Sequence, residues 1–583
     1  MIRSFRYLKP YIWTIIVVLA LVLLRTFLEL MMPFYLGKLI DDASSLFLSN
    51  ENKETSIIYY GSMMLGITIV SIGVMIFSRY LGAKIAALYG KKLRSELYKN
   101  VQTFSLKEVD EFTPSSLITR STNDIQAMQQ TLAMLLRMAV LAPFTAIGAI
   151  AMAFIKHPTI STVLIVSIIS VLSVLYTIYR LAYPKFSLIQ KLADKMNLVV
   201  RENLTGLKVV RAFNTEEFQI DKSRKVAQDT MDNNVFVNRL FSAMWPVMGF
   251  VMQLTTALMY VVAIYFGFLK ENSAFTPGDL SSMVQYGTQT LHSFMMMTMI
   301  LIMLPRSAIS ANRVMDVIDK KTNIFDGDDL VKLDDLKGEV SFNKVSFKYP
   351  NSDESVLKDI SFKAKPNEVT AFIGSTGSGK STLINLVPRF YDVTDGEILI
   401  DNVNVKNYKL DDLYQLFGYV PQQGILFKGT IKSNVGFGVS NINDEELNKA
   451  LDISQSKDFV EKLDDKYDSP ISQGGTNVSG GQRQRLSIAR AIAKKPKIYI
   501  FDDSFSALDY KTDAKLREAL DENIKATILI VAQRINTIKN ADKIIVLDKG
   551  RIVGIGKHYE LLKSCEVYKE IAESQLTPEE LLI

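Results

Sequence analysis

The sequence predicts a multi-domain membrane protein in which an all-α domain of six transmembrane helices is fused to an α/β P-loop domain. Its 583 residues exceed what a single hydrophobic core organises, so at least two domains are expected. Long apolar runs dominate up to about Pro305, whereas the later chain alternates apolar and polar residues. The stretch Ala371–Leu386 in that later part combines a buried strand, a glycine-rich turn and a helix. The predicted divisions are a transmembrane domain at 1–320, a linker at 321–337, a P-loop domain at 338–572 and a tail at 573–583.

The composition places the positive charge of the chain at a membrane surface. The net charge is +6, and Lys and Arg gather beside the apolar runs, which argues against nucleic acid as a partner and for membrane lipid. Cys565 is the single cysteine, so an internal disulfide framework is excluded and the soluble part is expected to face a reducing cytosol. The first apolar run is too long for a signal-peptide core and is therefore predicted to be a retained span.

Six stretches are long enough to cross a bilayer, since about 20 helical residues span about 30 Å of hydrocarbon. Arg3, Arg6 and Lys9 precede the first stretch, and acidic residues dominate the loop after it. The N-terminus is therefore predicted to be cytosolic, and the orientation alternates from span to span. The predicted spans are Tyr11–Leu36, Ile57–Tyr80, Thr131–Ile155, Ile160–Ala182, Phe241–Leu269 and Leu280–Leu304.

The loops after spans two and four should be cytosolic, and both are long and rich in Lys and Arg. Spans that continue as helices beyond the bilayer would explain this length, because long loops without structure are uncommon. The loops turn around two short polar segments, Glu111–Leu117 and Phe213–Phe218. These turns are candidates for contacts that carry motion between the domains, and plain connecting loops are the alternative. The outer loop Lys270–Asp279 is short.

Two side-chain patterns inside the spans leave their roles open. Arg25 and Glu29 share one helix face and can pair at membrane depth, either lining a polar cavity or forming a structural pair. Methionines in spans five and six suit either a pocket for varied apolar shapes or ordinary packing. They are Met244, Met248, Met252, Met295, Met296, Met297, Met299 and Met303.

The glycine-rich turn fits the spacing G-x-x-x-x-G-K-[ST] through Gly374, Gly379, Lys380 and Ser381. A loop without bulky Cβ atoms lets consecutive backbone N–H groups face a phosphate, and the helix start adds a partial positive charge. Lys380 would neutralise the outer phosphates and Ser381 would hold Mg²⁺. A chance glycine loop is the alternative, which the flanking strand and helix disfavour.

Further motifs follow in the soluble part. Tyr349 could stack on a purine or simply pack at a strand end. The strand Lys497–Asp503 ends in acids, of which Asp502 could hold Mg²⁺. The segment Asn477–Arg485 precedes an Ala- and Ile-rich helix whose open N-terminus could receive an anion or merely be capped.

Taken in order, these motifs resemble those of an ATP-binding-cassette (ABC) exporter half-transporter of the multidrug type. The matching motifs are the phosphate loop Gly374–Thr382, the glutamine loop VPQQ with Gln422, the signature Val478–Gln482, the strand ending at Asp502 and SALD at Ser506–Asp509. The resemblance covers Val340 to about Leu562. It implies an ATPase in which two nucleotide-binding domains close head to tail and move the membrane halves. The inner-loop turns would then be coupling helices.

The resemblance also implies a role for each matching residue. ATP and Mg²⁺ would sit between one chain's phosphate loop and the other chain's signature, with Asp509 touching the partner subunit. The implied ATP-binding residues are Tyr349, Gly374, Ser375, Thr376, Gly377, Ser378, Gly379, Lys380, Ser381, Thr382 and Gln422. The implied Mg²⁺ ligands are Ser381, Gln422 and Asp502, and the signature residues acting on the partner's ATP are Ser479, Gly480, Gly481 and Gln482.

Three positions depart from the family's pattern in addition to Val478, which replaces the usual leucine of an otherwise intact signature. Asp503 stands where the family has the glutamate that positions or activates water, and a carboxylate withdrawn by about 1 Å can cost roughly 100-fold in rate. Gln533 replaces the switch histidine and cannot become a cation. Gln473 replaces a glutamate that usually precedes the signature.

These departures predict that the chain's own site hydrolyses ATP slowly while its signature serves a competent site on a different subunit. The expected protein is an integral component of a bacterial plasma membrane that exports amphipathic small molecules or drugs as one half of a heterodimer. The alternatives are a homodimeric exporter of lipid or peptide, and a nucleotide-gated membrane regulator that does not pump.

Overall fold

The computed structural model describes residues 2–49, 54–265, 275–327, 336–350, 352–439 and 441–577. The chain forms two compact units, one of Met1–Gln102 with Pro114–Lys320, the other of Thr103–Thr113 with Lys321–Ile583. Several sequence predictions fall on residues outside this description. They are the end of span five at Leu269, most of the loop Lys270–Asp279, the middle of the linker 321–337 and the end of the tail 573–583.

The first unit is helical, and the described residues include six helical segments that are long and apolar enough to cross a membrane, of which the third, Pro114–Lys156, is divided into shorter helices. The six predicted spans are thereby confirmed, and several helices continue well beyond them. The helices in chain order are α1 (Ile12–Ser49), α2 (Glu54–Gln102), α3 (Leu106–Phe112), α4 (Pro114–Thr119), α5 (Ile125–Met138), α6 (Leu141–Lys156), α7 (Pro158–Thr205), α8 (Leu207–Ala212), α9 (Glu216–Ala263) and α10 (Pro277–Ile318). Of these, α3 belongs to the second unit.

The third predicted span is not one uninterrupted helix. A turn at Ala139 and Val140 separates α5 from α6. Pro143 lies in the first turn of α6 and has no N–H with which to continue the hydrogen bonds of α5, which explains the break.

A proline in α1 is compensated by side chains of α10. Pro33 has no N–H, so the carbonyl of Glu29 cannot receive its helical hydrogen bond. Gln289 Nε2 donates to that carbonyl (3.3 Å), and the hydroxyl of Tyr286 donates to the carbonyl of Leu30 (3.0 Å). Because lipid offers no alternative donors, these bonds tie α10 to the interrupted segment of α1.

The ionisable pair predicted in span one is formed. Arg25 Nη2 lies 2.7 Å from Glu29 Oε1, one helical turn away. Pairing within α1 lowers the cost of holding both charges at membrane depth.

Methionines from two helices meet in one apolar cluster of the first unit. Met248 of α9 is buried, and Met244, Met252 and Met295 pack around the same cluster. Residues of α7 and α10 complete it, whereas Met299 and Met303 are exposed. The methionine patterns of spans five and six therefore converge only in part.

The second unit is α/β, as predicted. Its larger sheet has the order β12-β11-β3-β10-β9-β6, with parallel pairing throughout except at the β11/β12 hairpin. A smaller antiparallel sheet has the order β2-β1-β4-β5, and β7 pairs with β8. The strands are β1 (Val340–Phe347), β2 (Leu357–Ala364), β3 (Val369–Gly374), β4 (Asp395–Ile400), β5 (Val403–Asn404), β6 (Phe417–Val420), β7 (Gly429–Thr430), β8 (Pro470–Ile471), β9 (Ile498–Asp502), β10 (Thr527–Val531), β11 (Lys543–Asp548) and β12 (Arg551–Gly556).

Helices cover the parallel strands, which explains why β9 and β10 are buried at every residue. The helices are α11 (Lys380–Leu386), α12 (Leu410–Gln415), α13 (Ile431–Val435), α14 (Asp444–Ile453), α15 (Lys457–Val460), α16 (Gly480–Ala493), α17 (Tyr510–Asn523), α18 (Ile535–Ile538), α19 (His558–Ser564) and α20 (Glu566–Glu573). Open parallel sheets bind ligands at the carboxyl ends of their strands, so this arrangement fixes where a site can form.

Candidate functional site

The phosphate loop lies at the carboxyl end of β3, in the middle of the parallel sheet. The strand ends at Gly374 and α11 begins at Lys380, as the sequence predicts. Gly379 has φ +98°, and a Cβ there would come within 2.7 Å of the Leu357 side chain. At Gly374, a Cβ would lie 2.1 Å from the carbonyl oxygen of Leu547. Glycine is therefore required at both ends of the loop.

Two polar groups in the loop are prepared for an anion. The Ser378 hydroxyl is buried and has no hydrogen-bond partner among the described residues, although such groups are normally paired. Lys380 Nζ donates to the carbonyls of Gly374 and Ser375 at 2.8 Å each, so its charge lies over the loop. Burial lowers the pKa of Lys380. An open loop with a buried cation and an unsatisfied hydroxyl fits a polyphosphate.

A carboxylate and a hydroxyl meet beside the loop. Ser381 Oγ, at the start of α11, donates to Asp502 Oδ1 (2.9 Å), at the end of β9. Burial raises the pKa of Asp502, because the charged form loses contact with water. The hydrogen bond from Ser381 lowers this pKa and the charge of Asp503 raises it, and burial is the larger effect. Hydroxyl and carboxylate oxygens are the ligands that Mg²⁺ prefers, so this pair fits that ion.

Three polar side chains converge where the next strands end. Asp503 follows β9, Gln422 follows β6 and Gln533 follows β10, and these strands are neighbours in the sheet. Gln422 Nε2 and Gln533 Nε2 both donate to Asp503 Oδ2, at 3.2 and 2.8 Å. The parallel sheet therefore gathers residues that lie between 30 and 111 positions apart in the chain.

The environment of Asp503 constrains both its backbone and its charge. Its φ of +47° lies in the left-handed region, where aspartate is tolerated better than most residues, and its N–H donates to Val531 O (3.0 Å). Burial raises the pKa of Asp503, against the opposing hydrogen bonds from Gln422, Ser506 and Gln533. A raised pKa suits a general base, but the short side chain stays held by two neutral amides.

Tyr349 lies next to the phosphate loop, with its hydroxyl 3.0 Å from Thr382 Oγ1. Its ring makes edge-to-face contacts with Phe347 (4.9 Å) and Tyr391 (5.4 Å). Tyr391 also donates a hydrogen bond to Asp110 Oδ2 (3.0 Å) in α3. The tyrosine is half-buried, so it packs at the strand end and still offers a ring surface.

The signature residues are placed apart from these groups, at the N-terminus of α16. Ser479 is the N-cap: its Oγ accepts from Gln482 N (3.3 Å), and Gln482 Oε1 accepts from Ser479 N (2.9 Å). Ser479 and Gly480 are exposed, and in the described part of the chain no hydrogen bond joins this cap to the phosphate loop. Asp509 is likewise an exposed cap, of α17, and its pKa is lowered by the hydrogen bond from Thr512 N.

One glutamine that sequence reasoning missed connects the signature helix to the glutamine loop. Gln484 is 2% exposed; its Oε1 accepts from Gly424 N (2.8 Å) and its Nε2 donates to Pro421 O (3.0 Å). These bonds bracket Gln422, which faces Asp503. The only sequence signal is a glutamine on the apolar face of α16. Gln575, which follows α20, is a second glutamine that sequence reasoning missed.

The fold and the site define a six-helix membrane domain fused to a P-loop ATPase domain. The profile of the ABC transporter transmembrane region matches residues 15–294, and that of the ABC transporter ATPase region matches residues 357–506.

The chain is similar along its length to known proteins of this type. It is 36% identical to an uncharacterized ABC transporter ATP-binding protein of Mycobacterium tuberculosis, covering 98% of this chain and 97% of that protein. YfiB of Bacillus subtilis, described in the same way, is 33% identical over 98% of both chains. An ATP-dependent lipid A-core flippase of Syntrophus aciditrophicus is 31% identical over 85% of this chain and 81% of the flippase.

A solved structure shares the fold. The structure of a bacterial Atm1-family ABC exporter with ATP bound superposes with a TM-score of 0.81 at 23% identity, covering 97% of this chain and 99% of that one. The chain belongs to the ABC transporter family, whose members couple ATP to transport, and it carries one transmembrane region and one ATPase region of that family. It is an integral membrane protein with a C-terminal cytosolic nucleotide-binding domain.

Proposed function

We propose that this chain is the subunit of a heterodimeric ABC exporter that binds ATP at a site of its own with little hydrolysis and completes a competent site on its partner. The observation that carries the proposal is the Asp503 cluster. A carboxylate one methylene shorter than the family's glutamate is held by Gln422 and Gln533, and Gln533 stands where the family has its switch histidine.

The phosphate-binding side supports retention of ATP. Ser375, Thr376, Gly377 and the other loop residues would present backbone N–H groups, with Lys380 neutralising the outer phosphates and Tyr349 offering its ring to the base. Mg²⁺ would be held by Ser381, Asp502 and Gln422. When bound, this ion neutralises negative charge on the phosphates.

The opposite side lacks what hydrolysis needs. Asp503 would have to orient or deprotonate water, but a shorter reach misplaces its carboxylate. Gln533 can donate a hydrogen bond to a terminal phosphate but brings no positive charge. Both weaknesses bear on one phosphate, so ATP would persist and favour a partly closed pair of domains.

The position of the signature supports a role in binding the ATP of a partner subunit. Ser479 and Gly480 lie at an exposed helix start whose capping box uses the N–H groups of Ser479 and Gln482, and the partial positive charge there suits an anion. In a head-to-tail dimer, Ser479–Gln482 would meet the partner's ATP and Asp509 would touch the partner. Within this scheme the domains are those predicted: 1–320, 321–337, 338–572 and 573–583.

The test is to purify this chain alone and together with a similar chain that carries Glu and His at the positions of Asp503 and Gln533. We expect fast ATP turnover only from the pair. Ser479→Arg in this chain should abolish most ATP turnover of the pair, because the large side chain would block contact between this helix start and the partner's ATP. Ser564→Arg, at an exposed helix end elsewhere, is the matched control and should leave turnover intact. Fast turnover by the lone chain would instead indicate a homodimer.

The transported molecules are proposed to be amphipathic small molecules, including drugs. The methionine cluster around Met248 supports this, since flexible thioethers adapt to varied apolar shapes. Similarity to a lipid A-core flippase favours lipid as a second candidate. Accumulation of a labelled drug in inside-out vesicles, compared with flipping of a labelled lipid, separates the two, and ATP binding with neither activity would indicate a regulator that does not pump.

A further inference from the structure

Near the end of the described chain, one side chain reaches back to the loop that carries Gln533. Gln575 Oε1 accepts a hydrogen bond from Ile535 N (2.9 Å), and its Nε2 donates to the backbone carbonyl of Gln533 (2.8 Å). A single amide thus pairs with a donor and an acceptor on either side of Arg534. Because both ends of the amide are used, the contact fixes the orientation of two peptide groups together.

The support of Gln575 is itself anchored in the core. Tyr568, Ala572 and Leu576 are buried in the same apolar cluster as Ile535 and Ile538 of α18. Tyr568 is further held by a 2.7 Å hydrogen bond to His558 Nδ1. Gln575 is exposed, but the buried residues on either side of it fix the position of its backbone. Only the side chain of Gln575 must therefore lose conformational freedom when it binds the loop.

The loop held in this way aims a functional side chain. Gln533 donates through Nε2 to Asp503 Oδ2, and the same residue's carbonyl is the one that Gln575 binds. A displacement of that backbone would move the Gln533 amide relative to Asp503.

We propose that Gln575 is a positioning residue for nucleotide sensing: it holds the Gln533 backbone so that the Gln533 amide faces Asp503 and the terminal phosphate of ATP. This inference rests on the proposed function, in which Gln533 occupies the switch position. It makes the segment after α20 part of the ATP site of this chain, through contact with a loop and not with the nucleotide.

The test is equilibrium binding of two probes, Mg-AMP-PNP and Mg-ADP, to the full-length chain in nanodiscs. Only AMP-PNP carries a terminal phosphate for Gln533 to meet. Gln575→Leu removes both hydrogen bonds at similar volume, and we expect affinity for AMP-PNP to fall about threefold while affinity for ADP is unchanged. Gln575→Glu keeps the acceptor for Ile535 N but loses the donor to Gln533, so an intermediate effect is expected.

The benchmark is Gln533→Ala, which should lower the preference for AMP-PNP at least as much as Gln575→Leu. Adding Gln575→Leu to Gln533→Ala should then produce no further loss. Ser574→Ala, which removes a hydrogen bond to Ile571 O at the end of the same helix, is the matched control and should bind both probes normally.

Two results would overturn the inference alone: equal weakening of both probes by Gln575→Leu, as a merely structural role predicts, or no change while Gln533→Ala does lose preference. If Gln533→Ala itself keeps the full preference, the proposed role of Gln533 is wrong and the inference is overturned with it. The rest of the proposed function, unequal ATP hydrolysis at the two sites, is tested separately by comparing ATP turnover of the lone chain and of the pair.

Discussion

The phosphate loop and the strand ends beside it belong to one parallel sheet, yet they depart from the family's pattern to different extents. The binding side, defined as Gly374–Thr382 with Asp502, keeps every expected residue. The hydrolytic side, defined as Asp503 and Gln533, keeps neither the glutamate nor the histidine of that pattern. Phosphate binding depends largely on backbone N–H groups and one cation, whereas hydrolysis depends on the reach of single side chains. The same fold can therefore preserve one function while side-chain changes weaken the other.

The largest effect is expected from breaking the binding side. Lys380→Ala removes the buried cation over the loop, and losing charge-assisted contacts worth about 1.5–3 kcal/mol should weaken ATP binding roughly ten- to a hundred-fold. Photolabelling of this chain with an azido-ATP analogue measures the loss. Lys494→Ala, another partly buried lysine with a burial-lowered pKa, is the control and should retain labelling. Retained labelling by Lys380→Ala would contradict the assignment of the loop.

The comparison can also be sharpened by repairing the hydrolytic side. The double change Asp503→Glu with Gln533→His restores both the reach and the ionisable ring, and we expect ATP hydrolysis at this site to rise about tenfold or more. Single-turnover hydrolysis measures the change in this chain paired with a partner whose own site has been inactivated, because in the proposed arrangement the site needs a second subunit's signature. Each single change is a control that should recover less. An unchanged rate would show that these two side chains do not limit hydrolysis at this site.

A smaller effect is expected from removing the hydrogen bonds that join the signature helix α16 to the glutamine loop. Gln484→Leu leaves Gly424 N and Pro421 O without their partner, so the glutamine loop should be held less firmly. We expect ATP turnover of the proposed heterodimer to fall about fivefold. Ser487→Ala, which removes a buried hydroxyl bonded within α16, is the control. Equal losses in both variants would indicate general loosening of the helix.

The smallest effect concerns pH and stability. Burial raises the pKa of Asp503, so the folded chain binds this proton more tightly than the unfolded chain does. Stability therefore falls as the pH rises from the ordinary carboxylate pKa through the raised one, and the ionised group costs stability at neutral pH. Asp503→Asn should raise the unfolding midpoint by about 2 °C at pH 7, with a smaller gain at lower pH, and reduce turnover only modestly.

The control for this prediction is Asp509→Asn. The pKa of Asp509 is lowered by the hydrogen bond from Thr512 N, so its ionised form is favoured in the folded chain and no gain is expected. A gain of equal size in both variants, measured by thermal unfolding across the pH range, would contradict the role of burial at Asp503.

Local patterns were sufficient for much of the molecule. Apolar length predicted the six spans, because hydrocarbon thickness sets that length regardless of neighbours. The strand, glycine turn and helix around Lys380 were likewise predicted, since a phosphate loop is a local arrangement of backbone groups. The break before Pro143 was missed, although its cause is also local, because hydropathy alone ignores a missing N–H.

What the sequence by itself determined is therefore whatever is encoded within one element: spans, strands, caps and the identities of Asp503 and Gln533. Only the tertiary structure decided that Gln422 and Gln533 bind one oxygen of Asp503, that Gln484 binds the backbone on both sides of Gln422 and that Gln575 binds the backbone on both sides of Arg534. Strand order and helix packing bring these residues together. A hydrogen bond between distant side chains depends on that packing, which no spacing along the chain records.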